Sequence, residues 1–423
     1  MIRMSKNVKK WYKLDNAGKI FPPTSDNNDP KVFRFACELY EDIDSLKLQK
    51  ALDKTLEEFP MFLSSLRKGL FWYYLETSSV VPKVIKESNY ICDKVDKSLL
   101  FRVSYYKKRI NLEVYHALTD GTGAICFLKT LVANYLIDKH NIKKRITIDT
   151  SSIYEKETDS FEKYYKKAKR LELGKRTKAY LLKGRLYPEY RLKVIEGVVP
   201  TKEIIKLAKD NNTTVTVYLT SILIKSIGNT MSRKDKRKPV VVTIPVNLRK
   251  YFKSNTARNF FNTITVQYKF NDDNDDLKSI INEISLQFKE KLTKENLDNQ
   301  MNSMAILENI FILRLVPIFI KDIVLKYFYK RSRREQTIAL SNVGIVEMPE
   351  ELRDYIKLFD VFASTDCTQI CMCSYLDNMT LSFTTHFTNS EIQKNFFTEL
   401  SKNNVQVVIN TNEVEDNGYE EML

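Results

Sequence analysis

The stretch that decides the fold runs Tyr115-His116-Ala117-Leu118-Thr119-Asp120-Gly121. Before it, apolar residues alternate as in a strand with one buried face, and His116 shares the parity of Ile110, Leu112 and Val114. After it, apolar residues recur every three or four positions, which is helical spacing: Ala124, Leu128, Leu131 and Tyr135. The stretch therefore joins a strand to a helix, and we expect the imidazole of His116 to point inward.

His116 is one of only three histidines in the chain. A lone histidine on an apolar face is commonly a hydrogen-bonded core residue, and that interpretation stays open here. Asp120 follows four residues later, Gly121 and Gly123 permit a tight turn, and Thr122 can bond locally where the helix begins. A loop of this kind can hold an imidazole in one orientation, which is what a general base needs.

Length and composition indicate a globular protein with two folded units. The chain has 423 residues, 43% of them hydrophobic, with few glycines and prolines. A segment between residues 163 and 193 is rich in lysine and arginine and is interrupted by Gly174, Gly184 and Pro188. We place the junction there and predict an N-terminal lobe at residues 1–185 and a C-terminal lobe at residues 186–423.

Several functional classes are disfavoured by composition. Cys371 and Cys373 are one residue apart, which is not zinc-ligand spacing, so we expect no metal site and reduced thiols in a cytoplasm. The most apolar segment, residues 306–329, is interrupted by charges and falls short of the about 20 apolar residues of a membrane span. The net charge of +15 is spread along the whole chain and identifies no partner, and no nucleic-acid recognition motif is present.

Periodicity predicts a mixed α/β fold. Strands are predicted at residues 32–39, 70–75, 101–105, 110–116, 240–246, 337–341, 361–363, 369–375 and 379–387. Helices are predicted from Asp44 or Ser45 up to Pro60, at residues 201–209, 214–227 and 277–292, around Pro317 within residues 306–329, and from Ser390.

The motif resembles the His-x-x-x-Asp-Gly signature of the superfamily of chloramphenicol acetyltransferase, nonribosomal-peptide condensation domains, wax ester synthases and alcohol acetyltransferases. His116, Asp120 and Gly121 match it residue by residue. Many members carry two adjacent histidines, of which the second is essential. This chain has Tyr115 in place of the first.

Three further segments resemble the same superfamily in the same order. Leu14-Asp15-Asn16-Ala17 is similar to the bacterial alcohol acetyltransferase-like branch, and Ser341-Asn342-Val343-Gly344 to wax ester synthases. Pro245-Val246-Asn247-Leu248-Arg249, followed by Asn259-Phe260-Phe261, resembles a segment of condensation and alcohol acetyltransferase domains. The resemblance extends from about Trp11 to the C-terminal helix.

The resemblance implies two lobes, each a mixed sheet with flanking helices, separated by a tunnel with His116 midway. His116 would be the general base that moves an acyl group from coenzyme A to an alcohol or amine, with no acyl-enzyme intermediate and no permanently bound cofactor. Asp120 would be structural and ion-paired, with Arg249 as the expected partner and Arg102, Arg258 and Arg34 as competitors. We expect the planar guanidinium to meet the carboxylate with two hydrogen bonds. Ser341 and Asn342 are candidates for oxyanion stabilisation, and Tyr115 for the tunnel lining.

The donor and the partners stay open at this level. The basic stretches at residues 166–185 and 330–334 could meet the phosphates of coenzyme A or an acidic carrier protein, or they are solvated surface. The alternatives are a carrier-protein-dependent condensing enzyme that forms an amide or ester, and an inactive binding protein of the same fold. We expect a monomer.

Overall fold

The structure is a computed structural model that describes residues 10–88, 90–144, 146–166, 177–188, 191–271, 275–309 and 315–412. Its strands, in chain order, are β1 (Trp11–Lys13), β2 (Val32–Leu39), β3 (Ser64–Lys68), β4 (Tyr73–Thr77), β5 (Ile85–Lys86), β6 (Phe101–Tyr106), β7 (Arg109–Tyr115), β8 (Lys193–Pro200), β9 (Val240–Asn247), β10 (Phe261–Tyr268), β11 (Ile338–Ile345), β12 (Ile356–Ala363), β13 (Thr368–Tyr375), β14 (Asn378–Thr385) and β15 (Val408–Thr411).

The helices alternate with these strands along much of the chain. They are α1 (Phe21–Thr24), α2 (Ser45–Glu58), α3 (Gly121–Lys139), α4 (Ile153–Glu157), α5 (Ser160–Tyr164), α6 (Thr201–Asp210), α7 (Val215–Gly228), α8 (Leu277–Lys291), α9 (Lys294–Asn309), α10 (Ile318–Ser332), α11 (Glu350–Arg353) and α12 (Glu391–Lys402). Among the residues that the structure describes, no helix is long and apolar enough to cross a membrane.

Two mixed sheets form the centres of two lobes. The first has the order β12-β2-β7-β6-β5, and its only parallel pair is β5 with β6. The second has the order β10-β9-β11-β13-β14-β8-β15, with parallel pairing of β11 to both β9 and β13. A small antiparallel sheet, β1-β4-β3, stands beside the first lobe. The predicted fold class, mixed α/β with two lobes, is confirmed.

Each lobe has its own apolar core. In the first, α2 and α3 pack together against the sheet, and α2 buries Leu48, Leu52 and Leu56. Asp44 caps α2 by accepting from two backbone amides, and the helix ends before Pro60, which cannot continue it. In the second lobe, α7 is buried on nearly all sides between the sheet, α8 and α12. His116 follows the central strand of the first sheet and contacts Phe261 at the start of β10, an edge strand of the second.

The C-terminal half sends one strand back to the first lobe. Strand β12 pairs with β2 over seven residue pairs, so the first sheet is completed from the far end of the sequence. The junction at residues 185/186 stays a prediction, and residues 167–176 within the predicted basic junction lie outside the described residues.

Most predicted elements are present, with some differences. Strand β2 has the predicted bounds, and β7 ends at Tyr115, one residue before His116. The predicted strand at residues 70–75 begins only at Tyr73, because Leu70 lies in a turn where its carbonyl accepts from Ile318. Strands β8 and β10 and helix α9 had no counterpart in the prediction.

Candidate active site

His116 lies directly after β7, where the two lobes meet. Its backbone amide donates to the carbonyl of Lys31 at 2.9 Å, which holds the strand end in place. Its ring stacks on Phe21 of α1 with centroids 4.3 Å apart and meets the edge of Phe33 of β2 at 4.9 Å. Phe261 of β10, in the second lobe, lies 5.5 Å away. Three phenyl rings from both lobes therefore confine the imidazole.

The surroundings favour a neutral imidazole. Part of the residue stays accessible, but the aromatic rings exclude most water from it. This burial lowers the pKa of His116 below its ordinary value, and Lys31 acts in the same direction, while Asp120 and Asn259 oppose them. A neutral imidazole at physiological pH can accept a proton, as general-base catalysis requires.

Asn259 and Asp15 determine which nitrogen of His116 carries the hydrogen. The Asn259 Oδ1 atom lies 3.2 Å from Nδ1 of His116, and Asn259 Nδ2 donates to Oδ2 of Asp15 at 3.2 Å. An ionised carboxylate only accepts, so the amide must turn its NH₂ group toward Asp15 and its oxygen toward the imidazole. Nδ1 then carries the hydrogen, and Nε2 is left unprotonated to act as the base.

Asp15 is almost completely buried and is held by several donors. Its Oδ1 accepts from the backbone amide of Gly18 at 2.6 Å, and its Oδ2 accepts from the backbone amide of Asn259 at 3.3 Å. Arg258 Nε lies 3.8 Å from Oδ2. Burial raises the pKa of Asp15 to about 6, with a smaller contribution from Asp159, and Arg258 counteracts this. The carboxylate is therefore mostly ionised at pH 7 and titrates within the physiological range.

Asp120 connects the start of α3 to the second lobe. Its Oδ1 accepts from the amides of Thr122 and Gly123 at 3.1 and 3.0 Å, which is an N-cap arrangement. Its Oδ2 accepts from Arg249 Nη1 and from the Phe260 amide, both at 2.8 Å. Asp120 is buried, and all four of these donors are engaged with its two oxygens. The contacts of this carboxylate therefore hold the start of α3 against the second lobe.

The predicted partner of Asp120 is present, but its geometry differs from the expectation. We expected the guanidinium of Arg249 to make two hydrogen bonds to the carboxylate, and it makes one. The other donors of Arg249 bind backbone carbonyls of Thr256, Arg258 and Phe260, which shape the loop that carries Asn259. The arginine is thus divided between the carboxylate and the loop, because Oδ1 of Asp120 is taken by the amides of Thr122 and Gly123 and Oδ2 is shared with the Phe260 amide.

The competing arginines have other partners. Arg34 and Arg102 both donate to Glu113 inside the first sheet, through Nε at 2.9 and 2.8 Å. Arg258 faces Asp15 and also donates to the carbonyl of Lys13. Arg249 is therefore the arginine that binds Asp120, and Arg34, Arg102 and Arg258 bind other groups.

The glycine requirement lies at Gly123 rather than Gly121. A Cβ atom at Gly123 would lie 2.1 Å from the carbonyl oxygen of Ala257 and 2.1 Å from Oγ1 of Thr119, whereas at Gly121 the nearest atom is 3.7 Å away, on Phe35. Both glycines lie in α3, so neither is needed for a left-handed turn. Gly123 allows helix α3 to approach the loop of the second lobe, which explains its place in the sequence.

The side chains of Tyr115 and Asn342, two of the remaining predicted site residues, bond to residues other than His116. The hydroxyl of Tyr115 lies 2.9 Å from Ser25 Oγ, and Tyr115 is buried. Ser341 is partly exposed in β11, and the neighbouring Asn342 is exposed, donates to Oγ1 of Thr216 and accepts from the Gly344 amide. The bulge at this point needs Gly344, whose φ is +90°. The roles given to Tyr115, Ser341 and Asn342 stay predictions.

Five residues that contact or orient His116 were not assigned roles from the sequence. Asn259, Phe261 and Asp15 stood in segments noted for their resemblance, which was the available signal for them. Phe21 and Phe33 carried no signal, because their contact with His116 depends on how α1 and β2 are placed around β7. Among the residues that the structure describes, no group of three or more histidine, cysteine or acidic side chains could hold a metal ion.

Comparisons with known proteins agree with this fold. Residues 192–402 match the alcohol acetyltransferase family. The search of curated proteins finds no match.

Solved structures with the same fold cover nearly the whole chain. The trichothecene 15-O-acetyltransferase TRI3 of Fusarium sporotrichioides has 11% identity and a TM-score of 0.62, covering 94% of this chain and 95% of that one. TRI101 of F. sporotrichioides, complexed with coenzyme A and T-2, has 10% identity and a TM-score of 0.61, covering 95% and 99%. The first condensation domain of the calcium-dependent antibiotic synthetase has 11% identity and a TM-score of 0.63, covering 95% and 100%. These structures confirm the fold that the resemblance implies, and the family match lies C-terminal to His116.

Proposed function

We propose that this chain transfers an acyl group from a coenzyme A thioester to the hydroxyl group of an alcohol, or to an amine, with Nε2 of His116 as the general base. The observation that carries the proposal is the hydrogen-bonded series from Asp15 through Asn259 to Nδ1 of His116. It supports a neutral imidazole with one defined basic nitrogen at the meeting point of the two lobes.

The reaction needs no covalent intermediate on the protein. Nε2 accepts the proton of the acceptor hydroxyl while its oxygen forms a bond to the thioester carbonyl carbon. The C–S bond of the tetrahedral intermediate then breaks, and the imidazolium returns the proton to the departing thiolate. The products are the ester and free coenzyme A, and His116 is regenerated. General-base action supplies on the order of 10² to 10⁴ in rate, and alignment and oxyanion stabilisation supply the rest.

Other predicted residues have supporting parts in this proposal. Tyr115, bonded to Ser25 just after α1, holds in place the segment that presents Phe21 to the imidazole. Ser341 and Asn342 are proposed as oxyanion donors, which requires Asn342 to leave Thr216 when the substrate binds. The use of coenzyme A is supported by the similarity to TRI101, whose structure contains it.

Turnover of purified protein tests the proposal. Release of the coenzyme A thiol would be followed with acetyl and longer acyl donors against a panel of alcohols and amines. We expect the wild-type protein to show turnover. The His116→Ala variant should lose turnover and keep the wild-type circular dichroism spectrum. His140→Ala is the matched control, since His140 stacks on Tyr355 at the surface, and it should keep normal activity. Unchanged turnover in His116→Ala would refute the mechanism.

A condensation reaction with a carrier-bound donor is the second candidate. It is favoured by the similarity to the condensation domain of the calcium-dependent antibiotic synthetase over 95% of this chain. Turnover with an acyl carrier protein and none with free acyl-coenzyme A would select it. Absence of turnover with both donors, with retained binding of a thioester, would identify an inactive binding protein of this fold.

A further inference from the structure

Helix α10 presents apolar side chains to solvent. Six of its residues are large, hydrophobic and exposed, among them Phe319 at 58%, Ile323 at 66% and Tyr327 at 62%. The other three are Ile320, Val324 and Phe328. In sequence they occur as pairs four residues apart, so they share one side of the helix. A contiguous apolar surface of this kind is unusual on a globular protein and marks an interaction site.

The side of α10 that faces the protein carries the polar residues Asp322 and Lys321 as well as the buried Ile318. Asp322 accepts from Lys68 at 3.0 Å and from the hydroxyl of Tyr73 at 2.8 Å. Lys321 donates to the carbonyl of Phe71 and lies 3.7 Å from the centre of the Trp72 ring. The helix is therefore anchored by hydrogen bonds and ion pairs, and it does not use its apolar face for packing against its own lobe.

Basic residues surround the apolar face. Residues 318–335 contain six basic and two acidic side chains. Four of the basic ones are exposed in the C-terminal half of α10 or just beyond it: Lys326, Lys330, Arg331 and Arg334. Arg333 is paired with Asp366. The exposed surface is thus apolar along the helix and positive at one end, which complements an anionic lipid surface, where acyl chains and phosphate groups lie next to each other.

We infer that α10 is a docking site for an anionic membrane surface. The aromatic residues Phe319, Tyr327 and Phe328 enter the headgroup region, and the exposed lysine and arginine side chains contact lipid phosphates. Because the apolar area comes from one short helix, the association is reversible and depends on salt. This inference does not rest on the proposed acyl transfer.

The docking helix is joined to the candidate active site. Helix α10 packs against α1, which supplies the ring of Phe21 that stacks on His116. The Nζ atom of Lys31 donates to the hydroxyl of Tyr329 on α10 and lies 4.4 Å from the centre of the Tyr329 ring. The backbone carbonyl of Lys31 accepts from the backbone amide of His116. Docking through α10 therefore brings the region around His116 close to the lipid surface.

Binding to vesicles tests the inference directly. The full chain would be sedimented with vesicles of phosphatidylcholine alone and of equal parts phosphatidylcholine and phosphatidylglycerol. We expect strong partitioning onto the mixed vesicles, weak partitioning onto the neutral ones, and release at high salt. Failure of the chain to bind the mixed vesicles at low salt would overturn the inference.

Two surface variants locate the binding face. Phe319→Ser, Ile323→Ser and Tyr327→Ser together should lower partitioning at least about tenfold. The triple variant Lys326→Glu, Lys330→Glu and Arg331→Glu should do the same. The matched controls carry the same changes at exposed positions elsewhere: Leu46→Ser, Tyr154→Ser and Leu286→Ser, and on α6 Lys202→Glu, Lys206→Glu and Lys209→Glu. Equal losses in the control variants would refute a specific face.

A tryptophan reporter measures contact in the folded protein. The chain has two tryptophans, and Trp72 contacts α10 through Lys321. In a Trp11→Phe variant, brominated lipids in the mixed vesicles should quench the emission of Trp72, and the serine variant of α10 should abolish the quenching. A vesicle-independent dimer that the serine variant dissociates would assign the face to a second copy instead. A tenfold higher KM for acyl-coenzyme A in the glutamate variant without vesicles would assign the charges to the coenzyme.

Discussion

Arg249 Nη1 donates a 2.8 Å hydrogen bond to Asp120 Oδ2, and this contact ties the start of helix α3 in the first lobe to the loop after β9 in the second. Both side chains are at least nine-tenths buried. Removing one of them leaves the other charge without its partner in a site with little water. We therefore expect Asp120→Ala to lower the free energy of unfolding by about 3 to 5 kcal/mol.

The pairing also predicts strong non-additivity. Asp120→Ala and Arg249→Ala each remove the shared interaction, so the double variant should lose less stability than the sum, by roughly 1 to 3 kcal/mol. Urea denaturation of the four proteins measures this coupling. Lys225→Ala and Glu399→Ala are the control cycle, since that 2.8 Å pair is more exposed and should couple by less than about 1 kcal/mol. A coupling in the first cycle no larger than in the control would contradict the assignment.

Substitution by alanine should affect stability differently at Gly121 and Gly123. Gly121→Ala should fold normally, because the nearest neighbour of the new Cβ is 3.7 Å away. Gly123→Ala should destabilise the protein by several kcal/mol, since its Cβ would overlap the backbone oxygen of Ala257 and separate the lobes. Melting temperatures of the two variants provide the measurement, and a tolerated Gly123→Ala would show that the loop carrying Ala257 can move away.

Local patterns in the sequence were enough to predict the strand-to-helix transition and the bounds of β2, whereas the partner of Asp120 was inferred from the family resemblance. The Asn259 and Asp15 contacts could not be predicted in the same way, because 244 residues separate these two positions in the chain. Periodicity reports only which face of an element is apolar, and it carries no information about which loops meet. The stacking of Phe21 on His116 could not be predicted for the same reason.

Helix α10 shows a second limit of sequence patterns. Its apolar residues predicted a helix within the segment around Pro317, and the helix is present after that proline. Apolar spacing, however, is equally consistent with a buried face and with an exposed one. Only the partners of Asp322 and Lys321 reveal that the polar side faces the protein.

The pH dependence of acyl transfer should reflect the low pKa of His116. Only the neutral imidazole accepts a proton, and burial lowers its pKa from the ordinary 6.5, so the active form persists into mildly acidic solution. We expect the acidic limb of kcat/KM to have its midpoint below pH 6.5. A midpoint above 7 would indicate that the imidazolium is stabilised in the free enzyme, against this argument.

Replacing Asp15 should separate activity from stability. Asp15→Asn removes the acceptor that orients Asn259, so both tautomers of His116 become populated and kcat should fall roughly 10- to 100-fold, with a smaller change in KM. The pKa of Asp15 is raised to about 6, so folding is most favoured with the carboxyl protonated, and this stability is lost as pH rises through 6. The neutral asparagine should therefore melt no lower than wild type at pH 7.5. A lower melting temperature with unchanged kcat would reverse the interpretation.

The buried carboxyls Asp360 and Glu196 should respond differently to neutralisation. Asp360 of β12 accepts from Ser382 Oγ at 2.5 Å, and Glu196 of β8 accepts from Arg109 Nη2 at 3.2 Å. Burial, reinforced by the charge of Glu196, raises the pKa of Asp360 well above its ordinary value, whereas Arg109 and hydrogen bonds hold that of Glu196 low despite its burial.

The sign of each effect follows from these pKa shifts. The stability that comes from the proton on Asp360 is complete below the unfolded pKa of 3.8 and is lost as pH rises through the folded pKa. Asp360→Asn stays neutral at every pH and keeps a similar shape, so its melting temperature should equal or exceed that of wild type, with the difference growing as pH rises from 3.8 through the folded pKa. Glu196→Gln should melt lower at neutral pH, because it removes one of the carboxylates that neutralise the buried Arg109 and leaves Glu38 as its hydrogen-bonded carboxylate, and this loss should shrink as pH falls below 4.5, the ordinary pKa of glutamate. Thermal melts of the three proteins across this range decide the point, and a large loss of stability in Asp360→Asn at pH 8 would mean that Asp360 is ionised in the folded protein.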